Sequence, residues 1–189
     1  MYLLTETASP FALERWAAFF ANFGQFAKGF FYTLGISIGA LIVALLLGLI
    51  FGAMSSTHNK VLRGISRVYV EIFQNTPLLV QFVVVFYGIS ILTDGHVMIP
   101  ISLTAILCVG VYTGAYISEI IRTGIEAVPK GQTEAALSQG FTYADTMRII
   151  ILPQAVRTIL PPLTNQVVNL IKNTSTVAII SGADIMFTA

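Results

Sequence analysis

Charge is scarce in this chain. Asp, Glu, Lys and Arg make up 10% of its 189 residues, against about 25% in a soluble domain. A soluble fold with so few charges could not cover its own surface, and that class is set aside. Net charge is only +1, so no whole-protein field favours nucleic acid. Cysteine is almost absent. Cys108 stands alone inside an apolar run, which excludes an internal disulfide and a cysteine-based metal cluster. Histidine is limited to His58 and His96, each in its own polar gap, and both read as solvated loop residues. Missing too is any G-x-x-x-x-G-K-[ST] phosphate loop, so the chain has no nucleotide site of that kind.

What fills the chain is apolar. Hydrophobic residues make up 56% and mean hydropathy is +0.82. The first charge-free stretch, about 30–54, is long enough to cross a hydrocarbon layer of about 30 Å. Gly35, Gly39, Gly48 and Gly52 dot it, and small residues four apart let helices approach closely. A polar gap follows from Ser55 to Arg67. A second span is expected at about 77–92 and a third at about 97–117, separated by a short gap holding Asp94, Gly95 and His96. The longest polar stretch runs from Arg122 to Arg148. A last apolar region, about 149–180, is interrupted by Pro153, Pro161, Pro162 and Lys172-Asn173-Thr174-Ser175, and reads as one discontinuous span.

Ahead of the first span, Phe11, Trp16, Phe19, Phe20, Phe23 and Phe26 recur at near-helical spacing. Residues 1–28 therefore read as an amphipathic segment lying along the membrane interface. Lys60, Arg63 and Arg67 lie in the first polar gap, and Arg122, Lys130, Arg148 and Arg157 lie in or beside the third. The gap at Asp94 has no basic residue. The positive-inside rule then puts the first and third gaps in the cytoplasm and the N-terminus outside.

The third gap carries a motif. Glu134-Ala135-Ala136 is followed by three residues, Gly140, nine residues, Ile150, one residue and Leu152-Pro153. Glu134 to Leu137 favour helix, Gly140 permits a left-handed turn, and Thr142 or Asp145 is placed to cap the next helix. A short helix–turn–helix presented outside the membrane is expected. The pattern resembles, at every anchor, the EAA loop of ABC importer permeases. Gln74-Asn75-Thr76-Pro77-Leu78-Leu79-Val80-Gln81 resembles the R-G-T-P-L-L-V-Q stretch of the polar amino-acid branch, with Gln74 and Asn75 in place of the usual Arg and Gly. Ala115-Tyr116-Ile117-Ser118-Glu119-Ile120-Ile121-Arg122, Leu160-Pro161-Pro162-Leu163-Thr164-Asn165-Gln166 and Leu170-Ile171-Lys172-Asn173-Thr174-Ser175 resemble its later motifs.

The resemblance implies an all-α type I importer transmembrane domain over residues 29–189, with a coupling loop at about 122–153. The family's final transmembrane helix is missing, and the end at Phe187-Thr188-Ala189 reads as a truncation. The implied coupling residues are Glu134, Ala135, Ala136, Leu137, Gly140 and Pro153, with both alanines leaving room for a partner surface. The implied partners are a pair of ATPase subunits carrying ATP and Mg, a second permease copy or paralogue, an extracytoplasmic binding protein or domain, and the inner-membrane lipid.

Polar groups inside spans are costly and need a reason. Asn173 lies twelve residues past Pro161, about 18 Å along a helix. Asn169, Lys172, Asn173 and Thr176 are candidates for the substrate path, with Asn165 near the same face; the alternative is that they satisfy broken backbone at a kink. Thr76 and Gln81 are further path candidates, although Thr76 or Asn75 is also placed to cap the second span, with Pro77 in its first turn. Glu119 and Arg122 are spaced to pair, and Glu71 has no evident partner. The polar set favours glutamine, glutamate, aspartate or asparagine as cargo. An ion-coupled secondary transporter is the alternative class, but it leaves the Glu134–Pro153 loop unexplained.

Overall fold

The computed structural model of the chain describes residues 13–21 and 23–180. All regular structure among the described residues is helical. Phe11 and Phe187-Thr188-Ala189 lie outside them. Helix α1 spans Leu13–Ala21 and α2 spans Phe23–Ser55. Helix α3 spans Lys60–Asn75 and α4 spans Leu78–Leu92, with a widened π turn at Val84–Gly88. Helix α5 spans Ile101–Glu126 and α6 spans Lys130–Ser138. A short capped turn at Tyr143–Asp145 and a π turn at Thr146–Ile151 lead into α7, Leu152–Asn173. A 3₁₀ segment, Thr174–Ile180, follows.

The α2–α5 contact is the spine. A Cβ built on Gly52 would lie 2.8 Å from Ile121 Cβ, and one on Gly110 would lie 2.7 Å from Val43 Cβ. Only glycine tolerates backbones this close. The contacts Gly39–Ile106, Val43–Gly110, Leu47–Gly114 and Gly52–Ile121 advance in the same direction along both helices, so α2 and α5 run parallel. A chain that crosses a membrane twice in one direction must return between the two crossings. The return is α3 plus α4, which meet at a bend of 98°. The bent pair is therefore one broken span and not a re-entrant loop.

This corrects two expectations. Helix α4 alone, 15 residues by its bounds, reaches about 23 Å, too short to span. Helix α3 supplies the rest, so the polar gap shrinks from Ser55–Arg67 to the turn between Ser55 and Lys60. Lys60, Arg63, Arg67 and Glu71 form one exposed stripe of α3. Its inner side is pinned by side chains bonded to neighbouring backbone. Ser66 Oγ donates to Phe51 O at 2.7 Å, Tyr69 OH to Val111 O at 2.7 Å, and Gln74 Nε2 to Ala115 O at 3.2 Å. Tyr69 also stacks on Phe51 with ring centroids 4.0 Å apart.

Other boundaries move as well. Helix α2 begins at Phe23, so the last residues of the 1–28 segment belong to the span. In α1, Trp16 and Phe20 are exposed and their rings are 6.4 Å apart. The third span starts at Ile101 after Pro100 and continues to Glu126, so Arg122 lies in α5 and not in the loop. The last region is discontinuous, but α7 runs through Pro161 and Pro162 unbroken. The break comes at Thr174, where Thr174 Oγ1 donates to Ile171 O and Ser175 Oγ to Lys172 O, each at 2.7 Å. Hydroxyls that claim backbone carbonyls in this way favour a tightened turn over a regular helix.

Candidate functional site: the coupling loop and the polar helix

Helix α6 owes its sharp end to Gly140. Gly140 N–H donates to Leu137 O at 3.0 Å and Phe141 N–H to Ala136 O at 3.1 Å, the paired bonds of a Schellman cap. Gly140 has φ +85°, where a side chain strains the backbone. Thr142 then caps the next turn. Its Oγ1 accepts from Asp145 N–H at 3.2 Å and donates to Asp145 Oδ2 at 2.6 Å. Of the two expected capping residues, Thr142 is the cap and Asp145 the group that answers it.

The two alanines of the motif have separate surroundings. Ala135 is exposed beside Glu134 and Leu137, whereas Ala136 is 2% exposed. Ala136 therefore faces the chain's own body and leaves no room there for a partner, which corrects the expectation for that residue. Glu134 makes no ion pair among the described residues and offers an unspent negative charge at the surface. Two contacts seat the loop. Gln154 Nε2 donates to Gln132 Oε1 at 3.4 Å, and the Tyr143 and His58 rings lie 5.2 Å apart. Pro153, at the start of α7, follows a widened turn whose last bond runs from Leu152 N–H to Met147 O.

Beside the loop, Arg122 grips Glu119 with Nε at 3.0 Å and with Nη2, and reaches Glu126 Oε2 with Nη1 at 2.6 Å. The expected Glu119–Arg122 pair is present, with Glu126 as a third member. Glu71 does have a partner, since Arg67 Nε lies 2.7 Å from its Oε1 one helical turn away.

The path candidates fall into two groups. Thr76 Oγ1 donates to Ile72 O at 2.8 Å, and Asn75 Nδ2 to Glu71 O at 2.8 Å. Both close the end of α3, so neither caps α4, and Pro77 precedes that helix rather than opening its first turn. Gln81 is buried, and its Nε2 donates to Phe73 O at 3.1 Å and Thr76 O at 3.0 Å. It braces the bend by satisfying carbonyls that a broken helix exposes. The second group lies along α7. Asn169 and Lys172 are exposed, Asn173 and Thr176 half-buried, while Leu170 and Val177 turn inward. Among the described residues no hydrogen bond or ion pair joins the two groups, although the 3₁₀ segment holding Thr176 packs against α4 and α5. Helix α7 is long enough to span but falls short of the apolar level of α2 and α5. A polar helix in a membrane faces a cavity or another protein surface in preference to lipid.

Similarity to known proteins decides the family. A family model described as the binding-protein-dependent transport system inner membrane component matches residues 44–188. The chain belongs to that family. It is an ABC transporter permease, a multi-pass component of the inner membrane. It is 41% identical over 173 residues to a probable glutamine ABC transporter permease protein, GlnM, of Bacillus subtilis, covering 90% of this chain and 77% of that one. It is 36% identical over 171 residues to the glutamate/aspartate import permease protein GltJ of Escherichia coli, covering 85% and 70%. A crystal structure of an amino acid ABC transporter with histidines superposes with TM-score 0.84 at 33% identity, covering 91% of this permease and 79% of that chain. The inward-facing MetNI methionine transporter, at 18% identity and TM-score 0.69, shares the fold.

Proposed function

We propose that this permease imports a polar amino acid of the glutamine, glutamate or aspartate type, driven by a pair of ATPase subunits that grip α6. The observation that carries this reading is the construction of α6. It is a short helix, sharply ended at Gly140, with Glu134, Ala135 and Leu137 exposed and Ala136 anchored. A rigid projection of this kind transmits a push that a slack loop would absorb. Closure of the ATPases would draw two such helices together and rotate the spans to open the cavity outward.

The remaining parts follow from this reading. A second permease copy or paralogue supplies the other half of the path and covers the exposed face of α7 bearing Asn169 and Lys172. An extracytoplasmic binding protein or domain delivers the amino acid. ATP and Mg reside on the ATPase. The basic residues Lys60, Arg63, Arg67, Lys130 and Arg148 favour a cytoplasmic α2–α3 turn and α6 and an outside N-terminus. Helix α1, Leu13–Ala21, leads in along the outer interface. Glutamine- and glutamate-type relatives favour the cargo class, and Asn169, Lys172, Asn173 and Thr176 are the groups to meet it. No observation favours an ion-coupled transporter.

Membranes expressing this chain with its neighbouring ATPase test the reading. The ATPase is expected to co-purify with the wild-type chain and to be lost with Glu134→Lys, and cysteines at the exposed positions Gln132 and Ser138 are expected to resist impermeant thiol reagents in intact cells. Labelling of either position from outside refutes the orientation and the lever together.

A further inference from the structure

The turn between α2 and α3 and the loop after α6 are separated by more than 80 residues of sequence, yet they touch through one ring pair. His58 and Tyr143 lie 5.2 Å apart, tilted at 55°. Each ring stands on a fixed platform. On the His58 side, Ser56 Oγ donates to Gly52 O at 3.0 Å. Asn59 Oδ1 caps α3 by accepting from Val61 N–H at 2.9 Å. Tyr143 is the first residue of the turn capped by Thr142, and Thr146 Oγ1 ties that turn back to Thr142 O at 2.9 Å. Two rigid pieces joined by a ring contact form a strut.

We propose that His58 is a positioning residue of the coupling machinery: it holds Tyr143, so that a displacement of α6 is passed directly to the α2–α3 turn. The proposal rests on the reading of α6 as the ATPase-driven lever. Along the backbone, α6 reaches the spans only through Ala127–Pro129 into α5 and through the π turn at Thr146–Ile151 into α7. Neither route includes α2 or α3. The strut adds a third route, into the two helices α2 and α3, which pack on α5. Because Ser66 ties α3 to α2, and Tyr69 and Gln74 tie it to α5, a push at His58 is carried into α2, α3 and α5 together. An aromatic contact of this kind shifts an equilibrium by about two- to tenfold, which sets the size of the expected effect.

The test uses the whole transporter reconstituted in proteoliposomes, with ATPase, second permease subunit and binding protein. The readout is amino acid taken up per ATP hydrolysed, with whichever of glutamine, glutamate and aspartate the wild type takes up best. His58→Ala is expected to retain its ATPase on purification and to lower the ratio about two- to tenfold, while His58→Phe restores it. Tyr143→Leu keeps apolar bulk without the ring and is expected to match His58→Ala. A wild-type ratio in both variants overturns the strut, and so does an equal fall in uptake and hydrolysis, which marks a merely structural residue. A wild-type chain that retains no ATPase at all overturns the lever reading, and the strut with it.

Discussion

Gly140 offers a graded test of the coupling loop. Its φ of +85° lies in the left-handed region, and a Cβ built there meets no atom within 4 Å. Substitution therefore brings no clash, and the whole penalty is in the backbone. An ordinary L residue in this region costs about 1–2 kcal/mol, which lowers the population of the correctly turned loop roughly five- to thirtyfold. Asparagine tolerates the conformation better than alanine, and a β-branched residue tolerates it worst. The expected order of retained function is Gly140, then Gly140→Asn, Gly140→Ala and Gly140→Val. The assay is initial uptake at limiting ATPase, together with the amount of ATPase retained on purification, at equal levels of permease in the membrane. The bond from Gly140 N–H to Leu137 O weakens in proportion, while Ala136 O keeps its second donor, Gln139 N–H. Equal activity for all four chains would show that the turn is not what presents α6. An asparagine variant worse than alanine would refute the backbone argument outright.

Four further outcomes are expected. Gln81→Leu strands Phe73 O and Thr76 O at the bend and costs about 1–3 kcal/mol, seen as a lower melting temperature of the detergent-solubilised chain. Tyr69→Phe loses the bond to Val111 O but keeps the stack on Phe51, so it should cost about 0.5–1.5 kcal/mol, seen as a smaller drop in the same melting temperature. Gly110→Ile drives a side chain into Val43 and Ala40 O, and the folded yield on size-exclusion chromatography should collapse. Thr113 has a buried hydroxyl with no partner among the described residues, so Thr113→Val should leave the melting temperature unchanged or raise it.

The membrane class, the all-helical fold, the α6 loop and its turn are all legible in the sequence, because each rests on local chemistry. Charge scarcity bounds the class, and a glycine at a fixed distance from a helix-forming run bounds the turn. The Glu119–Arg122 pair was legible for the same reason, being one turn apart. What escaped was tertiary. Ala135 and Ala136 are identical in sequence terms, and only packing turns Ala136 inward. Gln81 resembles any intramembrane amide until the bend at Asn75–Pro77 supplies the carbonyls it must satisfy. The His58–Tyr143 contact had no sequence signal, since nothing local links residues so far apart. Glu71 was a different kind of miss. Arg67 stands four residues before it, a spacing that brings the two together only where the segment is helix.

The charge pattern of α3, taken alone, reads as a loop. In a soluble helix the charged stripe faces out and the apolar stripe faces in, and four charges in twelve residues look like solvent. In α3, Val61, Ile65, Val68 and Ile72 are exposed, while Ser66 and Tyr69 are buried with hydroxyls bonded to α2 and α5. Apolar residues outside and polar ones inside are the pattern for a helix whose surroundings are lipid or another apolar helix, since no hydrophobic drive pulls Val61 or Ile65 inward. The charged stripe then stands beside the membrane surface, not opposite a core. Ser66 bonds to Phe51, four residues from the end of α2, or about 6 Å along that helix. Lys60, Arg63 and Arg67 thus lie at the depth where the span meets the headgroups, and long basic side chains can reach water from there. The parallel course of α2 and α5 demands a return crossing, and α3 satisfies it by carrying its charges at the entry and its apolar face along the flank.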